Sequence, residues 1–480
     1  MNKRIVFYSV GRILQSEGIL MLLPTVVSLI YRENGWIWLF LAAVFAFVLG
    51  TVARVSFKKC DHAVFAREGF AIVALSWIFM SAIGALPFFL SREIPNYISA
   101  FFETVSGFTT TGASIIPDVT ALSHGNLFWR SFTHWVGGMG ILVFIMAVFP
   151  SESGRDVHIM NAEVPGPISG KLMPRLRNTA KTLYLIYLGL TILEFVLLLC
   201  GEMNVFEALV HSFGTAGTGG FGVKPDSITS YSPYSQWVIT VFMLAFGINF
   251  NLFYLILIGR AKSAFKSTEL WCYISIVAIS IVAIAVNVFS IYGNLADTIR
   301  HSSFQVAAII STTGFSTADF NQWPEFSKTI LLVLMFVGGC AGSTAGGLKV
   351  SRVILMFKTV KRDLRRLVHP RSVNTVRLEG KSVNNDTISS VGGYIIIYKI
   401  IFFAVLLLLS FSHYDLLTNF TATVTCINNV GPGFGAVGPA SNFSGYSYFH
   451  QFVLSFAMLL GRLEIFPILL AFAPSTWRKK

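Results

Sequence analysis

The apolar positions of this chain fall in long blocks rather than in alternation. Several blocks reach the roughly 20 residues that a helix needs to cross a bilayer. Residues 10–31 and 36–53 are the first two. No small-residue cleavage site follows the first, and the second comes almost at once, so the first reads as an uncleaved helix. From there one unit recurs four times at a spacing of roughly 100 residues: a long apolar span, a shorter apolar segment, a polar stretch bearing glycine, and a second long span. In unit one the spans are 70–90 and 128–149, and the short segment 97–108 runs into Thr109-Thr110-Thr111-Gly112-Ala113-Ser114. Unit two has spans 182–199 and 237–258, and its short segment 205–215 leads to Gly217-Thr218-Gly219-Gly220-Phe221-Gly222. Unit three has spans 270–291 and 329–350, with 298–310 leading to Ser311-Thr312-Thr313-Gly314-Phe315-Ser316-Thr317. Unit four has spans 394–411 and 449–473, with 415–427 leading to Asn428-Asn429-Val430-Gly431-Pro432-Gly433.

The short segments cannot cross a bilayer. A helix of about 12 residues is about 18 Å long, against a hydrocarbon core of about 30 Å. Such a helix can enter from one side, stop midway and return as extended chain. Non-helical backbone is tolerated at that depth only where protein buries it or where it lines water. One such segment could be a re-entrant loop without a pore, or an outside loop rich in turn residues. Four at matching positions point to a shared aqueous pathway.

Aligned, the four stretches put Gly112, Gly220, Gly314 and Gly431 in one column. The preceding column holds Thr111, Gly219, Thr313 and Val430, and the one before it Thr110, Thr218, Thr312 and Asn429. Glycine permits positive φ and close approach of backbone to a ligand. Four extended strands around an axis make rings of carbonyl oxygens, which can replace the hydration shell of a monovalent cation. The short helices would aim their partly negative C-terminal ends the same way. Divalent ions recruit carboxylates, and the four stretches contain none; Glu103 and Asp118 flank the first stretch outside it.

Composition agrees with this reading and removes others. Of 480 residues, 54% are hydrophobic and only 12% charged, about half the charged fraction usual for a soluble protein. Mean hydropathy is +0.67. A net charge of +13 raises nucleic acid as a partner, but the basic residues fall in alternate loops. With a cytoplasmic N-terminus, the cytoplasmic groups are Arg54, Lys58, Lys59 and Arg67; Arg155, Lys171, Arg175, Arg177 and Lys181; Arg260, Lys262 and Lys266; residues 349–381; and Arg478, Lys479 and Lys480. The opposite loops hold isolated charges such as Arg32, Arg92, Lys224 and Arg300. That is positive-inside asymmetry, with both termini cytoplasmic and no nucleic acid required. The densest part, residues 358–366, reads as a face against anionic lipid or a docking surface for a cytosolic partner. Five scattered cysteines and nine histidines form no metal-binding or redox spacing. No catalytic constellation is visible, so the chain is not read as an enzyme.

These residues resemble those of the superfamily of potassium transporters that contains TrkH, TrkG, KtrB and the plant HKT proteins. The resemblance rests on three features and covers essentially the whole chain. They are the four glycine-bearing stretches, the run Gly338-Gly339-Cys340-Ala341-Gly342-Ser343-Thr344-Ala345-Gly346-Gly347-Leu348-Lys349, and Val164-Pro165-Gly166-Pro167 followed by Lys171-Leu172-Met173-Pro174-Arg175. The extra N-terminal pair of spans is similar to the TrkH and TrkG branch. The resemblance implies an all-α membrane protein: four pseudo-repeated span–pore-helix–span units around one central pore, plus two extra N-terminal transmembrane helices. On that scheme residues 1–66 are the N-terminal pair, 67–160 unit one and 161–266 unit two. Residues 267–385 are unit three, with the glycine-rich loop and the basic cytosolic segment, and 386–480 are unit four.

The resemblance further implies that K⁺ is the transported ion, held at backbone carbonyls of the three columns, and that no organic cofactor belongs to this chain. It implies a homodimer in the cytoplasmic membrane and a TrkA-like cytosolic nucleotide-binding ring as gating partner. No unit reads Thr-Val-Gly-Tyr-Gly and Pro432 follows Gly431, so some Na⁺ leak is expected. A Na⁺-coupled or Na⁺-permeable relative is the nearer alternative, and a membrane-embedded transferase the farther one.

Two features inside the apolar blocks ask for a role. Arg462 falls near the middle of the last span, where a charge costs on the order of 2.5–3.5 kcal/mol on insertion scales. By resemblance it sits in the pathway as a positive barrier; the alternative is a buried pair with Glu194 or another carboxylate. Lys399 is expected in a structural pairing. Gly338, Gly342 and Gly346 have the spacing of close helix packing. With Gly339 and Gly347 they carry more flexibility than packing needs, and by resemblance they form an intramembrane gate loop. This run is not a phosphate loop, since Leu348 stands where lysine is required.

Overall fold

A computed structural model of the protein describes residues 1–58, 65–140, 176–371 and 374–477. The loop at 164–175, the end of span 128–149, and the basic residues Lys59, Arg155, Lys171 and Arg175 lie outside the described residues, as do Arg478, Lys479 and Lys480. The regular secondary structure of the described chain is helical. The exception is a two-residue antiparallel pairing, Arg377–Leu378 with Lys381–Ser382. It closes a hairpin in the basic segment, where no strand was expected.

The N-terminal pair is Lys3–Leu20 with Leu22–Ile30, packed on Trp36–Ser56. Small residues set how closely they approach. A Cβ on Gly11 would stand 2.8 Å from the Gly50 carbonyl oxygen, and one on Gly18 would stand 2.6 Å from that of Ala43. With no hydrophobic drive between helices in lipid, such backbone-to-backbone packing is what holds them.

The first spans of the four units are Ala66–Gly84 with Leu86–Leu90, Leu176–Leu199, Thr268–Tyr292 and Asn385–Leu409. The short helices are Tyr97–Phe108, Val205–Gly217, Leu295–Ile310 and Leu416–Asn428. Each begins at an Asx residue. The side chains of Asn96, Asn204, Asn294 and Asp415 accept from N–H groups of the first turn, which would otherwise have no helical partner.

The second spans of units two, three and four differ from the continuous helices that hydropathy suggests. The chain bends by 92° between Pro233–Phe246 and Phe250–Leu257, and by 117° between Tyr448–Arg462 and Phe466–Phe472. Glu325–Val337 ends at Gly338, and helix resumes only at Val350–Val368. Among the described residues, six helices are long and apolar enough to cross a membrane, or eight if each bent pair is one span. The bends arise where helical backbone cannot continue. Glu464 and Ile465 both take positive φ, and the Phe466 N–H donates to the Glu464 carbonyl at 2.7 Å, a tight γ-turn. Arg462 is therefore the last residue of its helix, at a break, and not in the middle of a span. Lys399 lies exposed on Asn385–Leu409 and is in no ion pair among the described residues.

Candidate functional site

The four short helices end alike. Thr110, Thr218, Thr312 and Asn429 take left-handed backbone, with φ of 55°, 56°, 57° and 54°. The next N–H then reaches back five residues. Thr111 donates to Ser106 O at 2.9 Å, Gly219 to Gly214 O at 2.8 Å, Thr313 to Ala308 O at 2.8 Å and Val430 to Thr425 O at 2.9 Å. This is a Schellman-type ending. Glycine is its usual residue, and a threonine there costs on the order of 1–3 kcal/mol. Thr218 Oγ1 donates to Gly217 O at 2.6 Å, and two of these side chains reach beyond their own stretch. Thr312 Oγ1 accepts from the Gly346 N–H at 2.6 Å, and Asn429 Nδ2 donates to Thr111 Oγ1 at 2.9 Å and to Met458 O at 3.0 Å.

Two residues on, Gly112, Gly220, Gly314 and Gly431 also have positive φ, from 76° to 98°. Each packs on the next unit in cyclic order. A Cβ on Gly112 would overlap the carbonyl oxygen of Gly219, one on Gly220 that of Thr313, and one on Gly314 that of Val430. At Gly431 the neighbour is Thr111 O, 2.8 Å from such a Cβ. The four stretches therefore close a ring, and glycine is required twice over, for its φ and for its lack of Cβ. Gly219 is the one glycine in a column otherwise held by Thr111, Thr313 and Val430. The imidazole of His134, which bonds to Gly107 O at 2.7 Å through Nδ1, fills the space its side chain would take.

The residues after the glycines line a cavity of about 160 Å³ that includes Ser114, Gly222, Ser316 and Pro432. Arg130 and Lys224 also face it. Asp118 lies nearby on an exposed loop, and hydrogen bonds from the Thr120 hydroxyl and N–H hold its carboxyl below the usual carboxylate range.

On the helix-end side of the ring lie residues 338–349. They are not helical, and Gly338, Gly342, Gly347 and Lys349 have positive φ, which rules out the helix-packing reading of their spacing. Gly346 and Gly347 abut the end of the fourth short helix, where the Gly347 N–H donates to Asn428 O at 2.9 Å. Gly338 and Gly339 lie against Gly346 and Ala345, which doubles the segment back on itself. Side chains from elsewhere pin it. Glu269 accepts from the Ala341 N–H at 2.7 Å and the Ser351 N–H at 3.1 Å. Lys349 Nζ donates to Ala345 O. Arg462 donates to Thr344 O at 2.8 Å and to Gly137 O and Gly138 O at 2.5 and 2.7 Å. Among the described residues no ion pair joins Arg462 to Glu194; the ion pair beside it is Arg352–Glu464.

The structure thus brings all twelve column residues to one ring, and the loop glycines and Arg462 to one side of it. Sequence reasoning missed Glu269, Lys349 and the buried pair Glu103–Arg130, in which Nε and Oε1 are 2.6 Å apart. For Arg130 the signal was present, since it is a charge inside an apolar block. Among the described residues no cluster of His, Cys, Asp and Glu could hold a metal ion.

The profile of the TrkH family, described as cation transport protein, matches residues 38–479. The chain is 37% identical over 467 residues to the Trk system potassium uptake protein TrkH of Escherichia coli strain K12, covering 96% of each. It is 34% identical over 480 residues to TrkG of the same strain, covering 99% of each. The crystal structure of the potassium transporter TrkH from Vibrio parahaemolyticus superposes with a TM-score of 0.89 at 33% identity, over 100% of both chains. A ring of glycine-closed strands inside a bundle of apolar helices, matched along its whole length, identifies the chain as a member of the TrkH family, whose proteins transport cations and are not enzymes.

Proposed function

We propose that this chain takes up potassium across the cytoplasmic membrane, with the glycine ring as its selectivity filter. The observation that carries this reading is the cyclic contact of each ring glycine with the carbonyl of the next unit. Backbone oxygens crowded around an axis suit a dehydrated monovalent cation, and the two named relatives are potassium uptake proteins. K⁺ is the substrate, bound at carbonyls of Thr110, Thr111, Gly112, Thr218, Gly219, Gly220, Thr312, Thr313, Gly314, Asn429, Val430 and Gly431.

The gate in this reading is Gly338, Gly339, Gly342, Gly346 and Gly347 together with Arg462. A fixed positive charge on the helix-end side of the ring opposes a passing cation, and it does so more strongly away from bulk water. The loop runs directly into the basic helix Val350–Val368, so a TrkA-like cytosolic ring acting there can move it. The working form is a homodimer with both termini cytoplasmic. The Na⁺-permeable reading has one observation in its favour. The approach of Gly431 to Thr111 O is wider than at the other three edges, and Pro432 follows it.

The test is flux into liposomes containing purified protein, comparing K⁺, Rb⁺ and Na⁺ with and without the partner ring. K⁺ flux well above Na⁺ flux, raised by the partner, is the expected result. Equal K⁺ and Na⁺ flux would overturn the filter assignment.

A further inference from the structure

Behind the ring, one edge is built differently from the other three. Glu103 lies nine positions before Gly112, on Tyr97–Phe108, and Arg130 lies on His124–Gly138. Both are buried. Together they reach into two quadrants. Glu103 accepts from Ser114 Oγ at 2.9 Å and from the Ile115 N–H at 2.9 Å, on the strand leaving Gly112. Arg130 Nη1 donates to Gly222 O at 3.3 Å, on the strand leaving Gly220, and its guanidinium lies 3.4 Å from the centroid of the Phe221 ring.

The other units have neutral residues at these places. Nine positions before the ring glycine they hold His211, Gln305 and Ala422. Aligned on the residues that cap the second spans (Ser123, Ser232, Pro324 and Ser447), Arg130 corresponds to Ile239, Leu331 and Leu454, all 0% exposed. Glycines confirm this register for units one and four. Gly137 and Gly461, each 14 positions past the cap, lie against the carbonyls of Phe108 and Ile427, each four positions before its ring glycine.

Neutral groups therefore suffice at these places in three quadrants, where neutral hydrogen bonds tie the edges: the Ile228 N–H to Ser316 O at 3.0 Å, the Gly435 N–H to Asn321 Oδ1 at 3.2 Å and the Phe443 N–H to Ser114 O at 2.8 Å. Burying an ion pair costs desolvation that such groups avoid, so general stability does not account for it. What the pair adds is a charged tie between neighbouring quadrants, where the other edges have neutral ones. It fixes the strand after Gly112 relative to the strand after Gly220, through charge-assisted bonds that resist separation. We propose that Glu103 and Arg130 are a positioning pair for ion selection, holding the edge between units one and two at the spacing that discriminates K⁺ from Na⁺. This rests on the reading of the ring as the filter.

The decisive variant installs the unit-three residues, Glu103→Gln with Arg130→Leu, so that no unpaired charge is buried. It should fold with a melting temperature near wild type and still pass K⁺. Its K⁺/Na⁺ flux ratio in liposomes should fall about fivefold, the equivalent of ~1 kcal/mol. Arg130→Lys keeps the charge but shortens the reach to Gly222 O and the contact with Phe221, and should give a smaller fall. A wild-type ratio in the double variant overturns the proposal. If the double variant does not fold, Arg130→Lys and Ser114→Ala decide, and an unchanged ratio in both overturns it equally. Gly314→Ser in the same assay separates the two readings. If it too keeps the wild-type ratio, the filter reading itself fails. If it loses the ratio while the double variant keeps it, only the role of the pair fails.

Discussion

Two glycine-rich regions meet inside this bundle, and they are held in opposite ways. In the ring, each of the four glycines faces backbone of the next unit in one repeated geometry. In residues 338–349 no such repeat exists. Some backbone bonds anchor that segment, such as the Cys340 N–H to Gly247 O at 2.9 Å. Its remaining anchors are single side chains from distant parts of the chain: Thr312, Glu269 and Arg462. A ring built of backbone is disturbed most directly by adding atoms to it. A loop pinned by side chains can be released one bond at a time. Substitutions in the ring should therefore change which ion passes, and substitutions around the loop how fast.

The largest effect is expected from Gly220→Ala. The methyl group meets Thr313 O and the φ of 76° disfavours any side chain, so strain enters on two counts. The K⁺/Na⁺ flux ratio should fall about tenfold or more, the equivalent of about 1.4 kcal/mol; a protein that folds and keeps the ratio would remove the ring from ion selection. Next comes Arg462→Ala. K⁺ flux should rise several-fold, with the ratio unchanged and little loss of melting temperature. Reduced flux together with a clear fall in melting temperature would make Arg462 a structural donor to Gly137, Gly138 and Thr344 and no gate.

Glu269→Gln is a smaller perturbation, since Ala341 and Ser351 donate to the same oxygen, Oε1, and the amide keeps that acceptor while the charge is lost. A hydrogen bond to a charged group contributes about 1.5–3 kcal/mol against about 1 for a neutral one. K⁺ flux should increase by less than in Arg462→Ala, and unchanged flux would mean that this anchor does not restrain the loop. The smallest expected effect is that of Thr312→Val, which removes the acceptor for the Gly346 N–H. It joins the two regions directly, so it sharpens the contrast. Flux should change by about twofold, the equivalent of about 0.4 kcal/mol, at a constant ion ratio. A change in the ratio instead would show that ring and loop are mechanically one element.

The short helices were legible in the sequence to within a few residues, because their ends coincide with changes in hydropathy and with Asx caps and glycines. The breaks in the second spans were not. Residues 247–249 and 463–465 sit inside blocks whose averaged hydropathy stays that of a span, and a sliding average registers neither a local turn nor, at Glu464 and Ile465, a pair of positive φ angles. The basic run 349–381 read as a charged segment, while its short hairpin depends on backbone pairing that composition does not reveal. The anchors of the loop were hidden for another reason. Glu269 meets Ala341 across 72 positions of sequence and Ser351 across 82, and Arg462 meets Gly137 across 325. Nothing local to either partner marks such a contact. Lys399 misled for the converse reason: a charge in a span need not be buried, because a long side chain can run along the surface toward the interface.

The ring is closed by one polypeptide and not by four identical ones. In a symmetric assembly any change to the ring glycine is made four times over, so only the untouched and the fully altered ring can exist. Here a substitution enters one quadrant alone, and the four edges already differ, from the charged tie behind units one and two to the wider approach of Gly431 to Thr111. On the filter reading, ion preference in such a protein can move by graded steps, one quadrant at a time, along a series that a fourfold channel cannot visit.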